Sequence, residues 1–364
     1  MSRKTLFAAS ATFEAARRLD GLDAGHRSRR LHGHGFLASV RCDLPAGWAR
    51  FAGGEVDRLR DTLQSCVAQL DYGLLNEHVP EPTNESLARW VRARLDMPEV
   101  EQVDIQSTPR EGVSLDEAGN AHVWRRYVFQ SAHRLPNVPM GHKCGRIHGH
   151  GFEAVVHVNR SAGGHHRSID HARLDELWAP LHGELNYACL NDLPGLSNPT
   201  SEILSSWIWQ RLEPQLPELS WVTVYETASC GASFDGKRYR IWKEFTLDSA
   251  VRLKGAPEEH PLRRLHGHTY TLRLHLSAPL DEVMGWTVDF GDVKQIFGPI
   301  FDALDHQPLY EIDDLADCDT ATIAAWIFEQ ARGRLPQLDR VDLYETRGCG
   351  AIVCADKLGP ALPV

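Results

Sequence analysis

The chain has 364 residues, 42% of them hydrophobic, with 39 Lys and Arg against 49 Asp and Glu, for a formal net charge of −10. This balance fits a globular protein with room for two or three domains and argues against a nucleic-acid partner. No apolar run approaches the roughly 20 residues that span a bilayer, and the N-terminal stretch Met1–Phe7 lacks a signal-peptide core, so no membrane partner is expected. The eight cysteines form no Cys-x-x-Cys pair, which predicts free thiols and a cytoplasmic location.

His-Gly-His occurs three times, at His32–His34, His148–His150 and His266–His268, with separations of 148 − 32 = 116 and 266 − 148 = 118 residues. A near-constant period predicts three copies of one unit, with domains at 1–121, 122–236 and 237–364. The boundaries fall in the turn-forming stretches Asp116–Asn120 and Asp235–Gly236. In a strand, residues i and i+2 share a face, so His-x-His can offer two imidazoles to one ion.

Repeat 1 reads Phe13–Leu19 upstream of its histidines, with Arg17 at the position 15 residues before His32. It goes on to Leu70-Asp71-Tyr72 and Gln106-Ser107-Thr108, and reads as scaffold alone. Repeat 2 shows the elements most clearly. Alternating apolar residues predict strands over Trp124–Ser131 and Phe152–Val158, then a helix over Ala172–Leu185. Pro199-Thr200-Ser201-Glu202 opens a second helix over Ile203–Leu212, with Thr200 or Ser201 as cap. A strand over Trp221–Thr227 closes the unit, and Arg238–Phe245 begins repeat 3, giving a β-β-α-α-β-β order with a hairpin at each end.

Counting 15 residues back from the first histidine of each motif finds Arg17, His133 and Val251 in the three repeats. Only repeat 2 therefore has three imidazoles, His133, His148 and His150, the number that holds a catalytic Zn2+ with one position open. His32, His34, His266 and His268 read as inherited structural histidines. Cys144 stands four residues before His148, where repeats 1 and 3 have Ser28 and Leu262. A thiol beside zinc and imidazoles can be depressed toward thiolate and act as base or nucleophile.

Phe129-x-x-x-His133, Cys144-x-x-x-His148-Gly-His150, Val288-Asp289-Phe290, Leu304-Asp305-His306, Pro199-Thr200-Ser201-Glu202 and Tyr225-Glu226-Thr227 together resemble the 6-pyruvoyl- and 6-carboxytetrahydropterin synthases. The likeness covers essentially the whole chain as three tandem copies, and the Cys-to-His spacing is similar to the bacterial 6-carboxy type. It implies an α+β tandem T-fold, with three units closing a pseudo-trimeric antiparallel β-barrel and helices outside. It implies zinc on His133, His148 and His150, Cys144 as base, and a pterin anchor at Glu226 beside Thr227. Repeat 2 reads Leu185-Asn186-Tyr187 where the family has Asp-His, whereas repeat 3 keeps Asp305, His306 and Glu345 but lacks the third zinc ligand and the Cys. Because family sites lie between subunits, the resemblance implies one composite site at the repeat 2/repeat 3 interface. The implied activity is a lyase acting on 7,8-dihydroneopterin triphosphate in tetrahydropterin or 7-deazapurine (queuosine) biosynthesis, in a homodimer equivalent to a hexamer. The competing readings are a related enzyme on another pterin-like substrate and a non-catalytic pterin- or purine-binding scaffold.

Overall fold

The computed structural model describes residues 3–97, 99–160, 171–281 and 284–355. The first set of elements is β1 (Lys4–Arg17), β2 (His32–Cys42), α1 (Glu55–Val67), β3 (Gly73–Leu74), α2 (Asn84–Leu95), β4 (Val100–Thr108) and β5 (Glu111–Leu115). The same order returns as β6 (Ala121–His133), β7 (His148–Arg160), α3 (His171–Leu185), β8 (Ala188–Cys189), α4 (Ser201–Leu212), β9 (Leu219–Thr227) and β10 (Cys230–Phe234). It returns again as β11 (Tyr239–Val251), β12 (His266–Ala278), α5 (Phe290–Asp302), β13 (Gln307–Pro308), α6 (Thr320–Arg332), β14 (Leu338–Thr346) and β15 (Cys349–Cys354).

Among the described residues, twelve strands form one closed antiparallel ring, in the order β10-β9-β7-β6-β5-β4-β2-β1-β15-β14-β12-β11, with β11 pairing back onto β10. The repeats meet at β5–β6, β10–β11 and β15–β1. Closure leaves no open sheet edge in the ring, which removes a template for aggregation. The short strands β3, β8 and β13 add in parallel to β1, β6 and β11.

The helices cover the outer face of this α+β barrel. Along β7, Phe152, Ala154, Val156 and Val158 alternate toward the helices and join a core with Leu174, Leu177 and Leu181 of α3. Val155 points to the opposite face and packs with Trp124, Tyr225 and Trp242. Thr200 caps α4 by accepting from the Ile203 N–H at 3.2 Å, as its position in the sequence predicts.

The strands run further than the alternating apolar pattern. β6 continues through His133, which lies directly opposite His148 of β7. The extension is invisible to hydrophobic periodicity because its residues, Ala132, His133 and His148 to Gly151, are polar or small. Backbone pairing across the hairpin, not side-chain apolarity, keeps it extended.

Candidate active site

His133 and His148 are cross-strand partners, and His150 stands two residues along on the same face, as the strand period requires. Their ring centroids lie 4.6 Å (133–148), 5.3 Å (133–150) and 5.0 Å (148–150) apart, and Phe152 meets the rings of His133 and His150 edge to face. Two backbone carbonyls fix their tautomers. His133 Nδ1 is 3.0 Å from the Pro199 carbonyl and His148 Nδ1 is 2.8 Å from the Arg146 carbonyl, so each Nδ1 carries the proton and each Nε2 keeps its lone pair. The Nε2 atoms of His133 and His150 are buried without a hydrogen-bond partner. Together with Glu226, whose Oε1 lies 3.4 Å from His150 Nε2 and 3.8 Å from His133 Nε2, the three imidazoles form a four-donor group. Orphaned, convergent lone pairs fit a zinc-type cation. Burial lowers the pKa of His133 and of His150, against the opposing pull of Glu226, which keeps both available as neutral ligands.

Glu226 is the penultimate residue of β9 and is held by the first residue of α4, where Ser201 Oγ donates to Oε2 at 2.8 Å. Thr227 follows it and faces the Cys230 thiol at 3.1 Å. Cys144 sits half-buried in the turn before β7, where its carbonyl accepts from the Leu135 N–H at 2.8 Å. Leu19 bonds in the same way to Ser28, and Leu253 to Leu262, so the three turns are superimposable positions with different side chains. Burial, then Glu226, raise the Cys144 thiol above its ordinary value, while Lys143 acts in the other direction.

These residues open on one cavity of about 710 Å³, a size suited to a small organic ligand. Its walls come from two repeats. Repeat 2 supplies Cys144, His148, His150, Glu226 and Thr227, and repeat 3 supplies Lys243, Asp289, Phe290, Gly291 and Lys294. The repeat 3 wall is pinned by hydrogen bonds to α4. Glu202 accepts from Thr287 N at 2.8 Å and from its hydroxyl at 3.2 Å, Asn198 Nδ2 donates to the Met284 carbonyl at 2.7 Å, and Thr200 Oγ1 donates to the Gly285 carbonyl. Glu202 is buried, which raises its carboxyl to about 7. Asp289 caps α5 by accepting from Gly291 N at 2.6 Å, and its other oxygen lies 3.8 Å from His142 Nε2.

Asp305 and His306 do not line this cavity. They stand on the same strand edge, further along β11 than Lys243. Asp305 Oδ1 accepts from Asp248 N at 3.0 Å, and His306 Nδ1 lies 2.8 Å from Asp305 Oδ2. That bond raises the pKa of the exposed His306 imidazole. The backbone arrangement is shared: Tyr72, Tyr187 and His306 all have positive φ (51°, 59° and 57°), each with its N–H bonded to the strand at 2.6 Å. Asp71 and Asn186 accept from the strand as Asp305 does, so repeat 2 keeps the structural bond and loses only the ionisable pair.

Glu345 occupies the position of Glu226 in repeat 3, where Thr320 of α6 donates to it. It lines a separate cavity of about 30 Å³ with His266, His268, Val251 and, from repeat 1, Asp57. That volume holds water at most. In repeat 1 the corresponding position is Ser107, bonded to Asn84 at 2.9 Å, and Arg17 fills the place of His133. Arg17 Nη1 donates to the Pro82 carbonyl at 3.0 Å and to Asn84 Oδ1 at 2.9 Å, with its guanidinium over Phe36. Burial, then Arg17, lower the His34 imidazole to about 4.

Sequence reasoning gave Ser201 only as a helix-cap candidate and did not single out Cys230, Lys243 or Lys294. Their signal was available in the repeat alignment, which sets Lys243 against Arg125, and Ser201 against Asn84 and Thr320. It carries meaning only once β10 and β11 are known to be neighbours.

The chain matches the 6-pyruvoyl tetrahydropterin synthase family over residues 7–118, 122–237 and 240–356. It is 33% identical over 126 residues to the 6-carboxy-5,6,7,8-tetrahydropterin synthase of Synechocystis sp., covering 32% of this chain and 94% of that protein. It is 34% identical over 84 residues to the dihydroneopterin monophosphate aldolase of Pyrococcus furiosus, covering 22% of this chain and 70% of the relative. Among solved structures, Caenorhabditis elegans 6-pyruvoyl tetrahydropterin synthase aligns with a TM-score of 0.29 at 18% identity, over 31% of this chain and 92% of that one.

Proposed function

The chain belongs to the 6-pyruvoyl tetrahydropterin synthase family, and on that premise we propose that it is a zinc-dependent reduced-pterin lyase with one complete active site, where repeat 2 meets repeat 3. The substrate on this reading is 7,8-dihydroneopterin triphosphate, and the three repeats act as domains 1–121, 122–236 and 237–364. The observation that carries it is the cavity itself. Three convergent imidazoles, two of them lining one ligand-sized space beside a thiol and a carboxylate, form a set present in repeat 2 alone.

His133, His148 and His150 would hold the zinc, which when bound supplies a Lewis acid for side-chain hydroxyl oxygens and a charge that favours the Cys144 thiolate. Glu226, fixed by Ser201, lines the cavity and accepts the guanidine-like edge of the pterin beside Thr227. Cys144 removes a proton from the substrate side chain. On this reading His306, oriented by Asp305 on the same β11 edge but outside the cavity walls, serves as the acid–base partner of Cys144. The β10–β11 pairing supports this division, since it sets repeat 3 against the Glu226 edge of repeat 2.

The chain is read as a homodimer of rings. Leu31, Ile147 and Leu265 each precede a His-Gly-His and are 67%, 59% and 62% exposed, and Tyr72 and Tyr187 add 87% and 86% exposed rings, so an apolar rim recurs around one end of the barrel. Light scattering is expected to give the mass of two chains. All eight cysteines are free, as expected of a protein in the reducing cytoplasm.

Incubation of the zinc-loaded protein with 7,8-dihydroneopterin triphosphate, followed by product mass, tests the reading. Loss of triphosphate is expected, and absence of turnover overturns it. Metal analysis is expected to find about one zinc per chain, lost in His148→Ala.

A further inference from the structure

At the joint of repeats 1 and 2, Arg125 of β6 lies opposite Glu111 of β5 and is ion-paired with Glu111 and, at 2.9 Å, with Asp175 of α3. At the joint of repeats 2 and 3 the same positions hold Lys243 and Lys294. The strand register fixes the first equivalence, since Gly112 opposes Trp124 as Gly231 opposes Trp242, which leaves Lys243 opposite Cys230. The helices fix the second, since Asp175 and Lys294 stand equally far before the in-helix prolines Pro180 and Pro299. Both carboxylates that neutralise Arg125 are therefore gone, one replaced by a thiol and the other by a second cation. At the joint of repeats 3 and 1 the positions hold Ala9 and Arg60, and Arg60 is paired with Asp57 at 2.7 Å.

Lys243 Nζ donates to Ser229 Oγ at 2.9 Å, and among the described residues neither Lys243 nor Lys294 pairs with a carboxylate. Both line the 710 Å³ cavity, which Lys143 and Arg146 also border, against the carboxylates Glu226 and Asp289. In a chain of net charge −10 this is a local excess of positive charge. Two ammonium groups that line one cavity with no ion-pair partner among the described residues leave positive charge that a multiply charged anion bound there would neutralise.

We infer that Lys243 and Lys294 form an anion-binding subsite that takes the phosphate groups of the substrate while repeat 2 handles its ring and side chain. The identity of the ring rests on the pterin reading above; the phosphate chemistry does not. Repeat 3 thereby supplies the charge that distinguishes a phosphorylated ligand from its dephosphorylated counterpart.

Calorimetric titration of the full-length, zinc-loaded protein with inorganic tripolyphosphate tests this. Wild type is expected to bind one tripolyphosphate per chain, and Lys243→Gln/Lys294→Gln to bind it about tenfold to a hundredfold more weakly, the range for removing hydrogen bonds to charged groups. Lys243→Arg/Lys294→Arg is expected to retain binding, and Lys237→Gln, on an exposed turn, to leave it unchanged. In steady state the Gln variant should raise KM for the triphosphate substrate with little change in kcat, and bind phosphate-free 7,8-dihydroneopterin as wild type does. Should the double variant fail to fold, Lys294→Gln on its exposed helical site gives the same comparison. Equal binding by wild type and the Gln variants, or none by wild type, overturns the subsite. Lysine-dependent tripolyphosphate binding without pterin turnover would keep the subsite and remove the pterin reading, and turnover that ignores both lysines would do the reverse.

Discussion

His133 and Arg17 stand at one point of the fold. Each ends the first strand of its repeat, and each bonds at 3.0 Å to the carbonyl of a proline just before the second helix, Pro199 or Pro82. The consequences are opposite. His133 leaves a buried lone pair facing two more imidazoles, a vacancy in charge that a cation fits. Arg17 places a permanent guanidinium in that space, stacked on Phe36 and bonded to Asn84, so the cation is supplied by the chain. A scaffold can thus be kept through three repeats while one residue decides whether that point offers a lone pair or a permanent cation. In repeat 3 the same point is the apolar Val251, and the cavity there shrinks from about 710 Å³ to about 30 Å³.

The sharpest test of this contrast is catalytic. Cys144→Ala is expected to lower turnover roughly a thousandfold or more with zinc content and melting temperature unchanged, because the thiol takes part in proton transfer and holds no element in place. Ser28→Cys in repeat 1 should restore none of it. His306→Ala should lower turnover on the order of a hundredfold while zinc stays bound. Full activity in that variant would mean that repeat 3 does not supply the acid–base pair.

A second test turns repeat 1 into a copy of repeat 2. Arg17→His would set three imidazoles, with His32 and His34, at the spacing of the repeat 2 cluster. His32 already has its Nδ1 at 2.7 Å from the Arg30 carbonyl, the same tautomer lock as His148. Metal analysis should then rise from about one to about two zinc ions per chain. No increase would show that Arg17 is not what bars the metal.

The smallest effect is on pH-dependent stability. Burial raises the Glu345 carboxyl to about 7, and Asp57 adds to the rise. A carboxyl whose folded pKa exceeds its unfolded value contributes stability below the unfolded value, about 4.5, and loses it as pH rises through about 7. Glu345→Gln should therefore flatten the fall in stability between those limits, by about 1–3 kcal/mol at pH 8. Denaturant unfolding at pH 5 and pH 8 measures it, and an unchanged pH slope would mean that Glu345 is ionised in the folded protein.

The cluster of three imidazoles was legible in the sequence because it depends on local rules: a period of two within a strand, a fixed offset to the hairpin partner, and a repeat that exposes Arg17 and Val251 as departures. The helices were legible from Leu185 and Leu212 backwards for similar reasons, since capping and apolar spacing act within a few residues. The ends of β6 and β11 were not, because the pairing that extends them is a property of the hairpin. The cationic wall was hidden for a stronger reason. Lys243 and Lys294 look like ordinary surface lysines until β11 is laid beside β10 and the loss of the counterparts of Glu111 and Asp175 becomes visible.

The sequence by itself laid out three units, their β-β-α-α-β-β order, the imidazoles His133, His148 and His150 and the neighbouring thiol Cys144, since each follows from short-range spacing, while Glu226 followed from the family resemblance. Only the tertiary structure decided which unit faces which. The order in which strands close a ring is set by long-range backbone pairing and side-chain packing, and that closure put Lys243, Asp289 and Lys294 of repeat 3 across the cavity from the imidazoles of repeat 2.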